Sequence, residues 1–121
     1  RNKVILITDA TAASSVMPGR YKFGNIELLL GSDPIIFDKE TKRPLGSAIT
    51  MDQCVRNVIN WYNVCFSDAI KWAGTNPRKL LRKSKKFSEY EKKEKNIWWK
   101  EEEDGWYVKK IKCGNVFYSN G

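Results

Sequence analysis

The chain has 121 residues, a formal net charge of +8 and no histidine. This length fits one small domain or a piece of a larger one, and it is too short for a complete (β/α)8 barrel of about 250 residues. Without histidine, this chain alone makes no Ser-His-Asp triad, no Cys-His pair and no His-ligated zinc site. The 41% of hydrophobic residues excludes a disordered composition.

The three cysteines, Cys54, Cys65 and Cys113, are widely spaced and form no CxxC or zinc-finger pattern. They predict unpaired, mostly buried thiols in a reducing compartment, and hence a cytoplasmic location. No apolar stretch approaches the roughly 20 residues of a membrane span, and no signal-peptide pattern is present. Because the chain starts at Arg1 rather than at Met, we expect that a segment precedes it.

The first predicted element is the apolar run Val4–Ile7, which is typical of a strand buried on both faces in a parallel sheet. The run is followed by Thr8, Asp9 and Ala10. An acidic residue at the carboxyl end of such a strand occupies the place where α/β barrels carry catalytic groups. The residues alone also fit a simple capping role for Asp9, and they favour it.

Short antiparallel strands are predicted over residues 20–40, with a Gly24-Asn25 hairpin turn between the first two. The apolar period then changes to that of a helix through Met51, Val55, Val58, Ile59 and Tyr62. Thr50 is the predicted N-cap of this helix. Gly46 and Ser47, just before it, predict a turn or a place where backbone N–H groups receive an anion or a sugar hydroxyl.

Two further helices are predicted, one opening at Ser67 and ending at Gly74, the other beginning at Asn76-Pro77. Beyond Arg82 the chain becomes rich in Lys and Glu, which predicts a solvated helix. Residues 106–113 predict a strand, and Gly114-Asn115 predict a hairpin turn to a last strand over 116–118.

A basic tail with interleaved aromatic residues also suggests a non-catalytic nucleic-acid-binding module. The Lys/Glu alternation argues against it, because glutamates repel a phosphate backbone. Nucleic acid is therefore not expected as a partner. The aromatic side chains that could stack on bases are Trp98, Trp99, Trp106, Tyr107, Phe117 and Tyr118, and the lysines that could contact phosphates are Lys83, Lys85, Lys86, Lys92 and Lys93.

Several segments, in order, resemble the N-acetylglucosamine-6-phosphate deacetylases of the amidohydrolase superfamily. The likeness covers about the first two-thirds of the chain, and part of the closing hairpin at 108–118 resembles the family as well. The segments that carry it are Ile5–Ala10, Gly19–Gly24, Thr41–Asp52, Cys54–Asn57 and Asn76–Leu81.

The resemblance implies that Asp9 is the catalytic acid/base of an amide hydrolysis, and that Leu45, Gly46 and Ser47 contact the amino-sugar phosphate substrate. Leu45 stands where the family has Ser. The resemblance also implies a divalent metal, with zinc the expected ion, whose main ligands lie outside this chain. It further implies a homodimer in the full-length enzyme and no association with membranes.

The fold class that the resemblance implies is α/β, the C-terminal portion of a metal-dependent (β/α)8-barrel hydrolase with the closing strands of a small β-domain. Residues 1–82 would hold the last barrel strand, the substrate loop and the following helices. Residues 83–121 would hold a divergent Lys/Glu-rich segment and a C-terminal β-hairpin. The alternatives are the basic aromatic-rich binding module and an inactive pseudoenzyme fragment.

Overall fold

The computed structural model describes residues 3–81 and 94–119. The chain forms two compact units. The first unit is Leu6–Cys54, and the second unit is Val55–Gly121 together with Arg1–Ile5. The boundary predicted at residue 82 falls in the segment outside the described residues, and it stays a prediction.

The first unit contains a four-stranded antiparallel sheet whose strands follow one another in chain order. They are β1 (Gly19–Phe23), β2 (Ile26–Leu30), β3 (Ile35–Asp38) and β4 (Pro44–Ser47). The first three strands confirm the prediction. Gly24 at the β1–β2 turn has a φ of +59°, a left-handed conformation that glycine adopts without steric cost.

One face of this sheet forms the hydrophobic core of the first unit. Leu28, Leu30 and Ile36 are buried there with Ala13 from the preceding loop. Leu28 and Ile36 are on neighbouring strands and are almost completely excluded from solvent. Burial of each such side chain stabilises the unit by about 1.5–3 kcal/mol.

The helix predicted from the apolar period is confirmed as α1, Met51–Tyr62. The division between the two units falls within it. Gln53 at the third helical position accepts hydrogen bonds from the Thr50 backbone N–H and from the Thr50 hydroxyl, both at 3.0 Å. The backbone bond is half of a capping box, and it satisfies an N–H group at the helix start.

The next helical segment runs without a break through α2 (Phe66–Ile70), a π-helical segment (Lys71–Thr75) and α3 (Asn76–Leu81). The predicted helix end at Gly74 is therefore wrong. The π-helical segment ends two residues before Pro77, whose ring would otherwise clash with the carbonyl of Ala73 in a regular α-helix. A widened turn there lets the helix continue past the proline.

Asn76, where the last of these helices was predicted to begin with this residue as its N-cap, has a helical backbone and is buried. Its amide nitrogen Nδ2 donates a hydrogen bond of 2.7 Å to the Val4 carbonyl oxygen. Asn76 thus stabilises the leading segment of the chain rather than a helix start.

The second unit also contains a three-stranded antiparallel sheet made of β5 (Lys95–Glu102), β6 (Gly105–Cys113) and β7 (Val116–Ser119). The last two strands and their turn at Gly114 confirm the prediction. Strand β5 was not predicted, and it includes Lys95 from the expected Lys/Glu helix. The remainder of that expected helix, 83–93, lies outside the described residues.

Aromatic packing joins this sheet to the helices of the same unit. Phe66 stacks on Trp106 with ring centroids 3.8 Å apart, and it meets Trp99 edge to face at 5.6 Å. Buried apolar residues from the helical part complete the core of the second unit: Val55, Val58, Val64, Ala69 and Trp72.

The predicted strand Val4–Ile7 is wrong for this structure, because residues 4–7 belong to no strand. A strand requires a ladder of backbone hydrogen bonds to a neighbour. Here side chains bind the carbonyl oxygens instead: Asn76 binds that of Val4, and the Cys54 thiol lies 3.8 Å from that of Ile7. Ile7 is 73% exposed, so the expected burial on both faces is wrong as well.

The three cysteines are free, as predicted, but they are not mostly buried. Cys65 and Cys113 are exposed and Cys54 is half-buried. In the ranges 3–81 and 94–119, no helix is long and apolar enough to cross a membrane.

Candidate active site

The predicted acid/base, Asp9, is exposed to solvent in the loop that follows the leading segment. Its φ is +52°. This left-handed conformation is uncommon for a residue with a Cβ, although Asp and Asn tolerate it better than most. Such outliers concentrate at functional sites, where the surrounding structure holds them in place.

Ser47, at the end of β4, makes the contacts that hold this loop. Its backbone N–H donates a hydrogen bond of 2.8 Å to the Asp9 carbonyl oxygen. Its hydroxyl donates to the carbonyl oxygen of Thr8. A parallel bridge pairs Ala10 with Ser47, and the Thr11 N–H lies 3.4 Å from the Ser47 carbonyl oxygen.

Gly46 allows the two chain segments to approach each other. A Cβ added at Gly46 would lie 2.7 Å from the Asp9 carbonyl oxygen and 2.6 Å from Thr11 Cγ2. Gly46 also has a φ of +135°, which side chains rarely tolerate. Glycine is therefore required here for both contact and conformation.

Leu45 occupies a β-bulge in the strand that carries Gly46 and Ser47. Ile36 pairs with Gly46 and Phe37 pairs with Pro44, so Leu45 has no partner across the strands. Its side chain is exposed. Bulges often lie next to active sites because they change the direction of a side chain.

The structure thus brings Asp9 together with Gly46 and Ser47. Leu45 is on the same strand as Gly46 and Ser47, directly before them. Sequence reasoning missed Thr8 and Thr11, which contact Ser47 and Gly46. The sequence does not reveal these two contacts, because each threonine's partner is more than 30 residues away along the chain.

The described residues do not fit a metal site. Among residues 3–81 and 94–119, no three or more Cys, Asp or Glu side chains are grouped so that they could hold a metal ion. Asp9 lies near backbone groups of Ser47 and Gly46. A metal bound near Asp9 would need ligands other than these.

Cys54 does not have the character of a nucleophile. Burial, with a smaller effect from Asp52, raises the pKa of its thiol above the ordinary value. A raised pKa keeps the sulfur protonated and unreactive at neutral pH.

The six aromatic residues considered for nucleic-acid stacking have different environments. Trp99 and Trp106 pack on Phe66, and the Tyr107 ring lies under the Arg56 guanidinium at 4.7 Å. The remaining three, Trp98, Phe117 and Tyr118, are exposed. The lysines proposed to contact phosphates, 83, 85, 86, 92 and 93, lie outside the described residues.

Comparison with known proteins found no matching family model and no matching curated protein. One similar solved structure is the crystal structure of N-acetylglucosamine-6-phosphate deacetylase from Pasteurella multocida, with a TM-score of 0.74 and 18% sequence identity. The match covers 98% of this chain and 31% of that chain.

The match therefore extends beyond the first two-thirds of the chain and includes the C-terminal sheet. This chain spans about a third of the length of the deacetylase it matches. The resemblance noted in the sequence motifs is confirmed as a likeness of fold, consistent with a C-terminal portion of such an enzyme. The described part of the chain has two antiparallel sheets and a few helices, and its fold is similar to part of that deacetylase.

Proposed function

We propose that the chain is part of a hydrolase that deacetylates N-acetylglucosamine 6-phosphate to glucosamine 6-phosphate and acetate. The observation that carries the proposal is the fold likeness to a deacetylase over 98% of the chain. The contact between Asp9 and the Gly46-Ser47 loop supports it, because these are the residues to which the motifs assign catalysis and substrate binding.

In the proposed reaction, Asp9 handles protons in both steps. Its carboxylate takes a proton from the water that attacks the acetyl carbonyl carbon. It then returns the proton to the amine nitrogen as the carbon–nitrogen bond breaks, which releases acetate and the free amino sugar. An amide needs both transfers, because water is a weak nucleophile and an unprotonated amine is a poor leaving group.

The resemblance also implies a divalent metal, with zinc the expected ion. The described residues do not provide its ligand set, so we expect the ligands to come from residues outside this chain. A homodimer and a cytoplasmic location likewise stay predictions.

The test is an acetate-release assay on the full-length protein, with N-acetylglucosamine 6-phosphate as substrate and Zn²⁺ in the buffer. We expect stoichiometric acetate and glucosamine 6-phosphate. N-Acetylglucosamine without the phosphate is the matched control, and it should react more slowly. A folded full-length protein that releases no acetate would favour the inactive-pseudoenzyme alternative.

The 121-residue chain by itself is expected to release no acetate from the same substrate. It has no histidine, and its described residues do not form a metal-binding group. The measurement is the same assay with added zinc and a chain shown to be folded by circular dichroism. Turnover above the buffer background would contradict this expectation.

A second candidate function is supported by the exposed face of the C-terminal sheet. The Lys110 ammonium lies 4.5 Å from the Phe117 ring centroid and 5.3 Å from that of Trp98. A cation between two exposed rings could bind a single-stranded nucleic acid. Tryptophan fluorescence titration with a single-stranded oligonucleotide tests this, and Lys110→Gln should weaken any binding that the face provides.

A further inference from the structure

We propose that Ser47 is a positioning residue, which holds Asp9 in its left-handed conformation and thereby directs its carboxylate. The catalytic importance of this role rests on the proposed function, in which Asp9 transfers protons. The positioning itself rests only on the geometry of the first unit. It assigns to Ser47 a role different from the substrate contact that the resemblance implies.

The two hydrogen bonds from Ser47 act on the two peptide groups that flank the Cα of Asp9. The Ser47 hydroxyl binds the carbonyl oxygen of Thr8, in the peptide before that Cα. The Ser47 N–H binds the carbonyl oxygen of Asp9, in the peptide after it. Because peptide groups are planar, restraining the two carbonyl oxygens restrains φ and ψ of Asp9, and with them the direction of its Cα–Cβ bond.

A positive φ is uncommon for a residue with a Cβ, so a restraint from the surrounding structure helps to maintain it. Asp9 is exposed, so packing around its side chain does not provide one. Gly46 allows the two segments to approach closely, because it has no Cβ. A Cβ at this position would lie only 2.7 Å from the Asp9 carbonyl oxygen. Ser47, the next residue, then reaches both carbonyls.

The one hydrogen-bond donor of the Ser47 hydroxyl is also engaged within the protein. It donates to the Thr8 carbonyl oxygen and lies 3.3 Å from the backbone N–H of Ile49, which donates to it. Binding a sugar hydroxyl through the same donor would require breaking the bond to Thr8. The geometry therefore favours holding Asp9 over binding substrate.

The test is nuclear magnetic resonance on the 121-residue chain, comparing wild type, Ser47→Ala and Ser47→Thr. A positive φ brings the amide proton and Hα of the same residue close together, which gives a strong intraresidue NOE. We expect this NOE at Asp9 in wild type, its loss in Ser47→Ala, and its recovery in Ser47→Thr, which keeps the hydroxyl.

Lys42 is the internal control, because its φ is +58° and Asp38 rather than Ser47 binds its backbone N–H, at 2.9 Å. Its NOE should stay unchanged in all three proteins. An Asp9 NOE that persists in folded Ser47→Ala would overturn the proposal, since Ser47 would then stabilise the fold without holding Asp9.

If Ser47→Ala does not fold, hydrogen exchange in the wild-type chain decides. The Ser47 amide should then exchange at least about tenfold more slowly than an exposed amide, because it is hydrogen bonded. Unprotected exchange would overturn the proposal. None of these measurements depends on turnover, so failure of the positioning role and failure of the deacetylase proposal are distinguishable.

Discussion

At the scale of single residues, the contact between residues 8–11 and 46–47 determines the geometry of the candidate site. It joins segments that are far apart in the chain through backbone groups and one hydroxyl. Two backbone segments can approach this closely only where one of them has a residue without a side chain at the point of contact. Gly46 is that residue, with no space for a methyl group against Asp9 and Thr11.

We predict that Gly46→Ala lowers the free energy of unfolding by about 2–4 kcal/mol. The new Cβ clashes with backbone, and the positive φ adds further strain. Urea denaturation monitored by far-ultraviolet circular dichroism measures the change. Gly31→Ala is the matched control in the same unit, because a Cβ there meets no atom within 4 Å, and it should change stability by less than about 0.5 kcal/mol. Equal effects of the two substitutions would contradict the close approach.

At the scale of elements, the helical segment from Phe66 to Leu81 continues through a glycine that was predicted to end it. Gly74 lies inside this segment, with a helical environment and open space around its Cα. Glycine in a helix interior is less favourable than alanine because it loses more conformational freedom on folding.

Gly74→Ala is therefore expected to raise the free energy of unfolding by about 0.5–1 kcal/mol. The control is Gly24→Ala, which also meets open space but has a φ of +59°, and which should lower it by about 1 kcal/mol. Thermal unfolding of both variants provides the measurement. A loss of stability in Gly74→Ala would show that a helix end, as expected from the sequence, exists at this position.

The elements that the sequence predicts correctly are those with strong local signals. A Gly-Asn turn marks β1 and β2, and the apolar period marks α1. Strand β5 was missed because lysines and glutamates surround Trp98 and Trp99, so no regular alternation of apolar and polar residues is visible there. Whether Val4–Ile7 pairs as a strand depends on its neighbours, which local sequence does not contain.

For the candidate site, the roles of the residues stay predictions, and only their proximity can be compared with the structure. Motif resemblance identified Asp9, Gly46 and Ser47, and the structure places them together. What the sequence did not show is that Ser47 binds the backbone on both sides of Asp9. That contact spans 39 residues, and it depends on the conformation of Asp9 and Gly46 rather than on residue type.

At the scale of the whole molecule, several carboxylates are stabilised in their charged form. The hydrogen bond from Lys39 lowers the pKa of Glu27 below its ordinary 4.5. Backbone N–H groups of Thr41 and Glu40 lower the pKa of Asp38 below 3.8. The hydrogen bond from Lys112 lowers the pKa of Glu94.

These pKa values are lower in the folded than in the unfolded protein, so the charged carboxylates stabilise the fold. This stabilisation is complete at a pH above the pKa values of the unfolded protein. The stabilisation is lost as the pH falls through the pKa values of the folded protein. We predict a declining free energy of unfolding as the pH falls below about 4.5, measured by urea denaturation from pH 7 to pH 3. Glu27→Gln should reduce this pH dependence, because it removes one of the carboxylates whose pKa is lowered in the folded protein. A flat profile in wild type would contradict the prediction.

The central claim is that Asp9 transfers protons in the deacetylation of an amino-sugar phosphate. The most direct measurement is the rate of acetate release from N-acetylglucosamine 6-phosphate by the full-length protein carrying Asp9→Asn, compared with Asp33→Asn, an exposed carboxylate in a turn of the same unit. We predict that Asp9→Asn lowers kcat by about 10²–10⁴-fold, while Asp33→Asn keeps the wild-type rate. Wild-type turnover by Asp9→Asn would contradict the claim.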